Sequence, residues 1–454
     1  MKINNDETDD NMSKKLIAKS LAALTLFLLT CVVYAQGLTS EVPTIDIKNG
    51  TASATPITVV PFAFEGAGVP PETNVDEVIS NDLNRCGQFR TLPKASVVEF
   101  PTRGSEIKFP TWNMLKQAYI LVGRQIESPN GEIRVEFELF DVAKQQQLLG
   151  LAISGQRTGL RDVAHQIADL VYEKITGVRG AFWTRIAYII EQGVGNNASY
   201  ALMVADSDGF NPQTVVRSHE PLLSPAWSPD GRKLAYVSFE RGNSSIYLQE
   251  IGTGAREVVS SNKGINGAPA FSPDGSKLSL TLSYGGNPDV YIMDLASRHT
   301  TQMTKHFAID TEATWMPDGQ SLVFLSDRSG KPQLYQVPIN GGDATRITFQ
   351  GEYNANPSIS YDGKRIAMVQ GNGNVYRIAV LDRASGESRA ISPGNLDDHP
   401  SFAPNASMIL YAATEGSRDV LFAVSTNANV RQRLILADGD VREPTWSPYR
   451  QRGQ

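Results

Sequence analysis

Cysteine and histidine are scarce in this chain of 454 residues, which contains two cysteines and five histidines. Cys86 is the only cysteine left if the first 35 residues are removed on export, so no internal disulfide is then available to hold the fold. The histidines have no metal-ligand spacing and none lies in a His-Glu-x-x-His motif. The sequence therefore indicates no disulfide framework, no metal site and no cofactor.

An excess of basic residues is also missing, because 42 Lys and Arg face 48 Asp and Glu, for a net charge of −6. This acidity argues against nucleic acid or an anionic membrane surface as the partner. No stretch of about 18 apolar residues follows residue 33, so we expect no direct insertion into a membrane.

The N-terminus has the pattern of an export signal. Lys14, Lys15 and Lys19 precede an apolar run from Leu21 to Val33 that ends in "VYA". The run is short for a spanning helix, so residues 1–35 are predicted to be a signal peptide cleaved after Ala35. A retained anchor and a lipid-modified Cys31 are the alternatives.

A seven-residue phrase, first seen as "PAWSPDG", recurs through the second half of the chain. Its copies begin at Pro225, Pro269, Ala313, Pro357, Pro400 and Pro444, with spacings of 44, 44, 44, 43 and 44. Proline presets the first turn position, aspartate bonds back to the backbone and glycine takes positive φ, so the phrase predicts a hairpin turn. A period of 40–45 residues with strand-like sequence is typical of a β-propeller with one four-stranded blade per repeat.

The two ends of the repeat region complete each other. The last copy, at Pro444, has room for one strand, while the segments starting at Thr184, Tyr200 and Pro212 read as second, third and fourth strands without a first. Together they make one shared blade, and five whole blades bring the total to six. The C-terminal strand is thus predicted to close the ring and to remove two exposed sheet edges.

The preceding segment lacks this period and reads as a small α/β domain. It contains a strand at Ile57–Phe62, a helix that follows Thr73 as a possible N-cap, a hairpin around Pro129–Gly131 and a helix from Leu160 that stops at Gly177. We therefore predict a mainly β protein, with an N-terminal α/β domain at residues 36–180 and a six-bladed β-propeller at residues 181–454.

The residue before each repeat phrase is predicted to start the innermost strand and to line one mouth of the central channel. These residues are Ser224, Ala268, Glu312, Asn356, His399 and Glu443. Any one of them can be a loop residue wetted by solvent, but six different side chains at a concave mouth make a binding site a reasonable hypothesis.

We find no catalytic constellation. Propellers also occur in front of serine peptidase domains, but the chain has neither the Gly-x-Ser-x-Gly motif nor the length for such a domain. "DSDG" at Asp206–Gly209 favours a turn over a calcium loop. The protein is predicted not to be an enzyme. The alternative is an enzyme, or a protein that binds glycans or small molecules, that uses the central channel.

The export signal, the α/β domain and the propeller together resemble the TolB family, which belongs to the Tol-Pal system of Gram-negative bacteria. The most specific stretches are "VVPF", "EKITGVRGAFWTRIAYII", "LLSPAWSPDGRKLAYVSFE" and "DGDVREPTWSPY", in that order. The resemblance covers essentially the whole mature chain. It implies a periplasmic adaptor that supports outer-membrane integrity and constriction at cell division, and we expect a monomer.

The resemblance also implies two docking sites. The propeller mouth receives Pal, a lipoprotein of the outer membrane, and family members often carry histidine where Ile265 stands here. The corresponding residues are Ser224, Ile265, Asn266, Ala268, Thr311, Glu312, Asn356, His399 and Glu443.

The N-terminal segment, residues 38–50, corresponds to the part of the family that binds TolA, a protein of the inner-membrane Tol complex. Its matching residues are Glu41, Val42, Ile45, Asp46 and Ile47. By itself the segment is compatible with a ragged terminus, or with a free strand that adds to the sheet of a partner. The resemblance favours the second reading, and it implies a switch in which the segment is either held against its own protein or released to TolA. Other envelope proteins are possible partners.

Overall fold

A computed structural model describes residues 45–47, 54–193, 195–434, 436 and 439–451. The predicted signal peptide, residues 1–35, lies outside the described residues. The first described element is the short strand β1 (Ile45–Ile47). Within the described ranges, no helix combines the length and the apolar character needed to cross a membrane.

The α/β part is built on one mixed sheet. Its strands are β2 (Thr55–Val59), β3 (Ala63–Glu65), β4 (Phe89–Thr91), β5 (Tyr119–Glu127), β6 (Glu132–Asp141) and β7 (Gln146–Gln156). The order across the sheet is β4-β2-β5-β6-β7, and β3 also pairs with β5. β2 runs parallel to β4 and β5, whereas β5, β6 and β7 form an antiparallel meander. The predicted hairpin is confirmed, but β7 was not anticipated.

Three α-helices accompany this sheet: α1 (Val75–Arg85), α2 (Phe109–Met114) and α3 (Leu160–Thr176). Short 3₁₀ turns occupy Lys94–Ser96, Gly104–Glu106, Arg157–Gly159 and Gly195–Asn197. α1 and α3 bury their apolar faces in one core, with Ile79 and Ile167 fully buried. Gly177 ends α3 at a φ of 76°, as predicted. The N-cap of α1 is Asn74 rather than Thr73, and its side chain makes no capping bond.

The rest of the described chain forms six sheets, five with four strands and one that β1 extends to five, which confirms the six-bladed propeller. The strands of each blade are given from the innermost outwards. Blade 1 contains β31 (Asp440–Trp446), β8 (Arg185–Gln192), β9 (Ser199–Asp206) and β10 (Gln213–Ser218). Blade 2 contains β11 (Leu222–Trp227), β12 (Lys233–Ser238), β13 (Ser245–Glu250) and β14 (Arg256–Ser260), and blade 3 contains β15 (Asn266–Phe271), β16 (Lys277–Leu282), β17 (Asp289–Asp294) and β18 (Thr300–Gln302).

The remaining three blades repeat the pattern. Blade 4 is β19 (Asp310–Trp315), β20 (Ser321–Ser326), β21 (Gln333–Pro338) and β22 (Thr345–Arg346); blade 5 is β23 (Tyr353–Ile359), β24 (Arg365–Asn372), β25 (Val375–Asp382) and β26 (Ser388–Ala390); blade 6 is β27 (Asp397–Phe402), β28 (Met408–Glu415), β29 (Arg418–Ser425) and β30 (Val430–Arg433), with β1 added outside β30.

The repeated phrase is the hairpin turn between the first two strands of a blade. In blade 2 the amide of Ser228 donates to the carbonyl of Lys233 at 2.9 Å, and the amide of Gly231 donates to the carbonyl of Ser228 at 2.8 Å. Gly231 has a φ of 69°, a conformation that glycine adopts without the steric penalty of a side chain. The predicted turn chemistry is confirmed.

The ring closes as predicted from the last copy of the repeated phrase, at Pro444. β31 pairs antiparallel with β8, with Trp446 opposite Ile186. The indole of Trp446 is buried, and its N–H donates to the hydroxyl of Thr184 at 2.8 Å. The C-terminal strand therefore shares a sheet with strands encoded about 260 residues earlier.

Candidate functional site: the channel of the propeller

The six positions predicted to line the channel are equivalent in the structure, and we call them the channel ring: Ser224, Ala268, Glu312, Asn356, His399 and Glu443. All six have a positive φ, between 45° and 55°. Each lies at a β-bulge, where the register between the first two strands of its blade shifts. They therefore lie in the middle of the innermost strands, and the prediction that they start those strands was wrong.

The channel ring lines a single cavity of about 260 Å³, together with the two residues that follow each ring position. Non-glycine residues seldom adopt positive φ, and here the same strained conformation recurs in all six blades. The bulge thus gives every blade one backbone position turned towards the channel, while the side chain differs from blade to blade.

Two glutamates of the channel ring connect neighbouring blades. The carboxylate of Glu443 accepts a hydrogen bond from the amide of Ser224 in the next blade. In the same way, Oε2 of Glu312 accepts from the amide of Asn356 at 2.8 Å. Burial raises the pKa of Glu312, although the Asn356 amide and the charge of His399 act against that shift. These carboxylates therefore hold the ring together as well as giving it negative charge.

His399 faces this acidic side of the channel. Its Nδ1 lies 2.9 Å from Oδ2 of Asp398, and its Nε2 lies 3.9 Å from Oε2 of Glu443. Burial alone would lower the pKa of His399, but Asp398 through its hydrogen bond and charge, and then Glu443 and Glu312, outweigh burial and raise the pKa to about 9. The imidazole is consequently positive at neutral pH, whereas Ser224 and Ala268 leave the opposite side of the ring uncharged.

Exposed apolar side chains stand just before the innermost strands of blades 3, 4 and 6. Ile265, Ile309 and Leu396 each stand three residues before a ring position and are 47%, 46% and 57% exposed. Phe307, on the loop that leads to β19, is 88% exposed. We define the apolar rim as these four residues. A cluster of exposed large apolar side chains beside a channel is typical of a protein-binding surface.

Only Ile265 of this rim was anticipated from the sequence. The signal for Ile309 and Leu396 was present, since an apolar residue recurs at the same offset before the ring positions of three blades. It was missed because these residues belong to the variable loops rather than to the repeated phrase.

The rim and the α/β part lie at opposite ends of the propeller. Each innermost strand begins at the rim and ends at the hairpin turn of its blade. The hairpin turns lie at the end that contacts the α/β part, because Asn405, in the hairpin turn of blade 6, donates to the carbonyl of Arg179 at 3.1 Å. Arg85 of α1 likewise bonds Ser207, in the turn after β9 at that same end. The α/β part therefore leaves the apolar rim uncovered.

Asn266 requires a correction among the predicted Pal-binding residues. It is fully buried, and its Oδ1 accepts from the hydroxyl of Ser260 at 2.7 Å and from the amide of Asn262 at 2.9 Å. Its side chain therefore holds the loop that presents Ile265 and does not face a partner. Thr311 is partly buried, with its hydroxyl 3.0 Å from that of Thr281 in the neighbouring blade 3.

A second polar cluster, absent from the predictions, lies between α1, α3 and the turn after β9. Asp82, His165 and Asp208 place carboxylate and imidazole atoms within 4.8 Å of one another. Arg85 bonds Asp82, and Arg161 bonds Asp208, so arginines already supply the positive charge that a metal ion would bring. We interpret the cluster as an ion network joining the α/β part to blade 1. Sequence spacing could not reveal it, because its members are 43 to 126 residues apart.

The "DSDG" segment, which contains Asp208, is a turn. The amide of Gly209 donates to the carbonyl of Asp206 at 2.8 Å, and the amide of Asp206 donates to the carbonyl of Phe210 at 2.8 Å. The preference for a turn over a calcium loop is therefore confirmed.

The described part of the predicted TolA-binding segment is strand β1. It pairs antiparallel with β30, with Ile45 opposite Gln432 and Ile47 opposite Val430. Glu41 and Val42 lie outside the described residues. β1 thus forms the outer edge of blade 6 as a fifth strand.

The fold and the channel site define a class: a six-bladed β-propeller, joined to an N-terminal α/β part, that presents a polar channel with an apolar rim. Family profiles match both parts, "TolB amino-terminal domain" over residues 43–148 and "TolB beta propeller domain" over residues 172–450. The chain belongs to the TolB family.

Whole-chain relatives agree with this assignment. Proteins named "Tol-Pal system protein TolB" from Xanthomonas campestris pv. campestris (strain B100) and Xanthomonas oryzae pv. oryzae (strain KACC10331 / KXO85) are each 69% identical to this chain, over 95% of its length and 98% of theirs. The crystal structure of TolB from Acinetobacter baumannii is 39% identical, with a TM-score of 0.82, and covers 90% of this chain and 100% of that one.

Proposed function

We propose that this protein is a non-enzymatic periplasmic adaptor of the Tol-Pal system. It links Pal, the outer-membrane lipoprotein, to TolA of the inner-membrane complex, and so supports outer-membrane integrity and constriction during division. Membership of the TolB family supports this role, and the observation that carries it is the channel ring with its uncovered apolar rim.

Pal docks at the rim end of the channel in this proposal. Ile265, Ile309 and Phe307 offer exposed apolar surface, and burying such surface supplies most of the favourable free energy of association. The channel ring adds a fixed polar pattern, because Glu312 and Glu443 are bonded to neighbouring blades before a partner arrives. A rigid surface loses little conformational entropy on binding, which favours affinity.

TolA takes the N-terminal segment. β1 is bound to β30 through strand pairing, and the same backbone groups can instead pair with a sheet edge of TolA. The two states exclude one another, so the equilibrium between them sets the fraction of molecules whose N-terminal segment is free to bind TolA. Pal binding at the propeller biases that equilibrium in the proposed switch.

One observation favours a second candidate function, an enzyme acting inside the channel. His399 stands beside Asp398 and Glu443, and a histidine with carboxylates is a common general acid-base arrangement. The carboxylates of Glu443 and Glu312 already accept backbone amides, which favours a structural role for them over a catalytic one. Hydrolysis of a panel of glycans and ester or peptide substrates that is lost in His399→Gln would support the enzyme.

Pal capture tests the adaptor. Purified Pal on beads is incubated with the intact protein or with the double variant Glu312→Lys, His399→Glu. We expect at least a tenfold loss of capture, because the variant inverts two charges of the channel ring. The matched control is Glu387→Lys, His299→Glu, which makes the same two substitutions at exposed turn positions between outer strands of blades 5 and 3. Equal capture by both variants would remove the channel from the proposal.

A further inference from the structure

The outermost strand of the α/β sheet, β7, differs from every other outer strand in the described part of the chain. It has 11 residues and pairs only with β6. The outermost strands of blades 1 to 5 have two to six residues, and four of these five carry at least one arginine, whereas the edge of blade 6 is the three-residue strand β1. β4, at the opposite edge of the same sheet, has three residues and contains Arg90.

Short length and charged side chains are the usual means by which proteins prevent sheet edges from pairing with another chain. β7 has neither protection. From Gln145 to Gln156 there is no charged residue and no proline, and the strand is regularly paired with β6 from Leu149 to Gln156. The free side of β7 therefore presents a long, uncharged row of backbone donors and acceptors.

We propose that β7 is a self-association surface, through which two copies of this protein pair antiparallel about a two-fold axis centred on Leu151. Leu151 is the middle residue of β7 and is 46% exposed. A strand that pairs with its own copy about a two-fold axis is necessarily antiparallel, and only the central residue meets itself.

The side chains of β7 fit this register. On the face that contacts the core, Leu149 would lie opposite Ile153 of the second copy and Leu151 opposite Leu151, so that apolar residues meet at the centre of the strand. On the other face, Gly150 would lie opposite Ala152, and both are small. Lys144 and Arg157 flank the strand and would face Thr158 and Gln145, so no like charges meet.

The absence of charge on β7 favours a second copy of the protein as its binding partner. An edge strand that contains arginine would repel a second copy of itself, and this applies to the outermost strands of four blades. β7 is neutral, and its residues complement those of a second copy. Pairing through one edge strand buries less than a standard interface of about 1,600 Å². The association is therefore weak and depends on concentration, and the monomer expected from the sequence remains the form at low concentration.

Sedimentation equilibrium over a concentration series tests the proposal on the full chain with Cys31→Ser. The average mass should rise from that of a monomer towards twice that value. Leu151→Lys places two ammonium groups together at the two-fold axis and should weaken association at least tenfold. Met114→Lys is the matched control, because Met114 is 81% exposed and lies on α2. A monomer at all concentrations, or unchanged association in Leu151→Lys, would overturn the proposal.

Cysteine cross-linking tests the register. Leu151→Cys should form a covalent dimer with diamide, whereas Ser154→Cys, which faces Leu148 of the second copy, should form at least tenfold less. Cys86 is buried and gives no background. Equal cross-linking at both positions would overturn the two-fold register. Circular dichroism and Pal capture on the same variants separate loss of association from loss of folding and from the adaptor function.

Discussion

The imidazole Nδ1 of His165 lies 2.6 Å from Oδ2 of Asp82, and both side chains are 1% exposed. His165 belongs to α3 and Asp82 to α1, while Arg85 and Arg161 carry the network to Ser207 and Asp208 of blade 1. Burial would lower the pKa of His165, but the charge and hydrogen bond of Asp82, with Asp208 adding to them, raise the pKa to about 9. A buried positive imidazole thus helps to join the two parts of the molecule.

Stability should therefore fall in alkaline solution. The pKa of His165 is raised in the folded state, so its contribution is complete below the ordinary value of about 6.5 and is lost as the pH rises through about 9. His399, whose pKa is also raised to about 9, acts over the same pH range, whereas the raised pKa of Asp169 lowers stability mainly between its ordinary value of about 3.8 and about 7. We expect the free energy of unfolding to drop by on the order of 3 kcal/mol between pH 6.5 and 9.5, measured by urea denaturation.

His165→Gln should be less stable at pH 7 and should flatten this dependence, because glutamine keeps a hydrogen bond to Asp82 but cannot carry the charge. His299→Gln is the control, since His299 is exposed on a turn of blade 3. If the pH profile of His165→Gln matched that of the unaltered protein, another group would have to carry the effect.

Loss of the closing strand should open the ring. Deleting residues 441–454 removes most of the pairing between β31 and β8, worth roughly three or four hydrogen bonds at ~1 kcal/mol each, and also the buried Trp446. Trp446→Ala alone should cost about 3–5 kcal/mol. Calorimetry should show a clearly lower melting temperature for both, while a chain shortened by residues 452–454 serves as control. An unchanged melting temperature after the deletion would contradict closure by β31.

Gly180 should not tolerate a side chain. A Cβ there would overlap both the Cα and the carboxylate of Asp169, whose Oδ1 accepts from the amide of Phe182 at 2.7 Å. We expect Gly180→Ala to destabilise by about 1–3 kcal/mol in urea denaturation. Gly159→Ala is the matched control, because its φ is −99° and nothing lies within 4 Å of its Cβ position. Similar losses in both variants would refute the packing argument.

Deletion of Leu38–Gly50 should abolish TolA capture, because it removes the segment that we propose to bind TolA. Pal capture should be unchanged or stronger in the same variant, since β1 lies at the outer edge of blade 6 and the channel ring lies on the innermost strands. Parallel pull-downs on Pal and TolA beads measure both. Loss of both activities would indicate misfolding instead of a specific docking segment.

The sequence predicted most of the fold because its signals are local and repeated. The hairpin turn at Ser228–Gly231 and the stop of α3 at Gly177 depend on turn chemistry within a few residues. The closure by β31 followed from counting strands, although its partner strand is distant. β7 was missed because its row of Gln, Leu, Gly and Ala lacks the β-branched alternation that indicates a strand.

The channel was predicted in outline but not in detail. The repeat spacing identified Glu312 and His399 as equivalent positions, yet it could not indicate that both would lie at β-bulges or that Glu312 would bond the next blade. Asn266 was assigned to the binding surface through the family resemblance, and the structure buries it. Such outcomes depend on how neighbouring blades pack, which no single repeat encodes.

The sequence by itself determined that this protein is a ring of six sheets, since a period of 44 residues with one turn phrase per unit leaves the chain few other ways to bury its strands. Only the tertiary structure decided which charges meet. The proximity of Asp82, His165 and Asp208, the acidic side of the channel around His399 and the unprotected edge of β7 arise between segments far apart in sequence, where contact depends on the packing of whole elements and not on local preference.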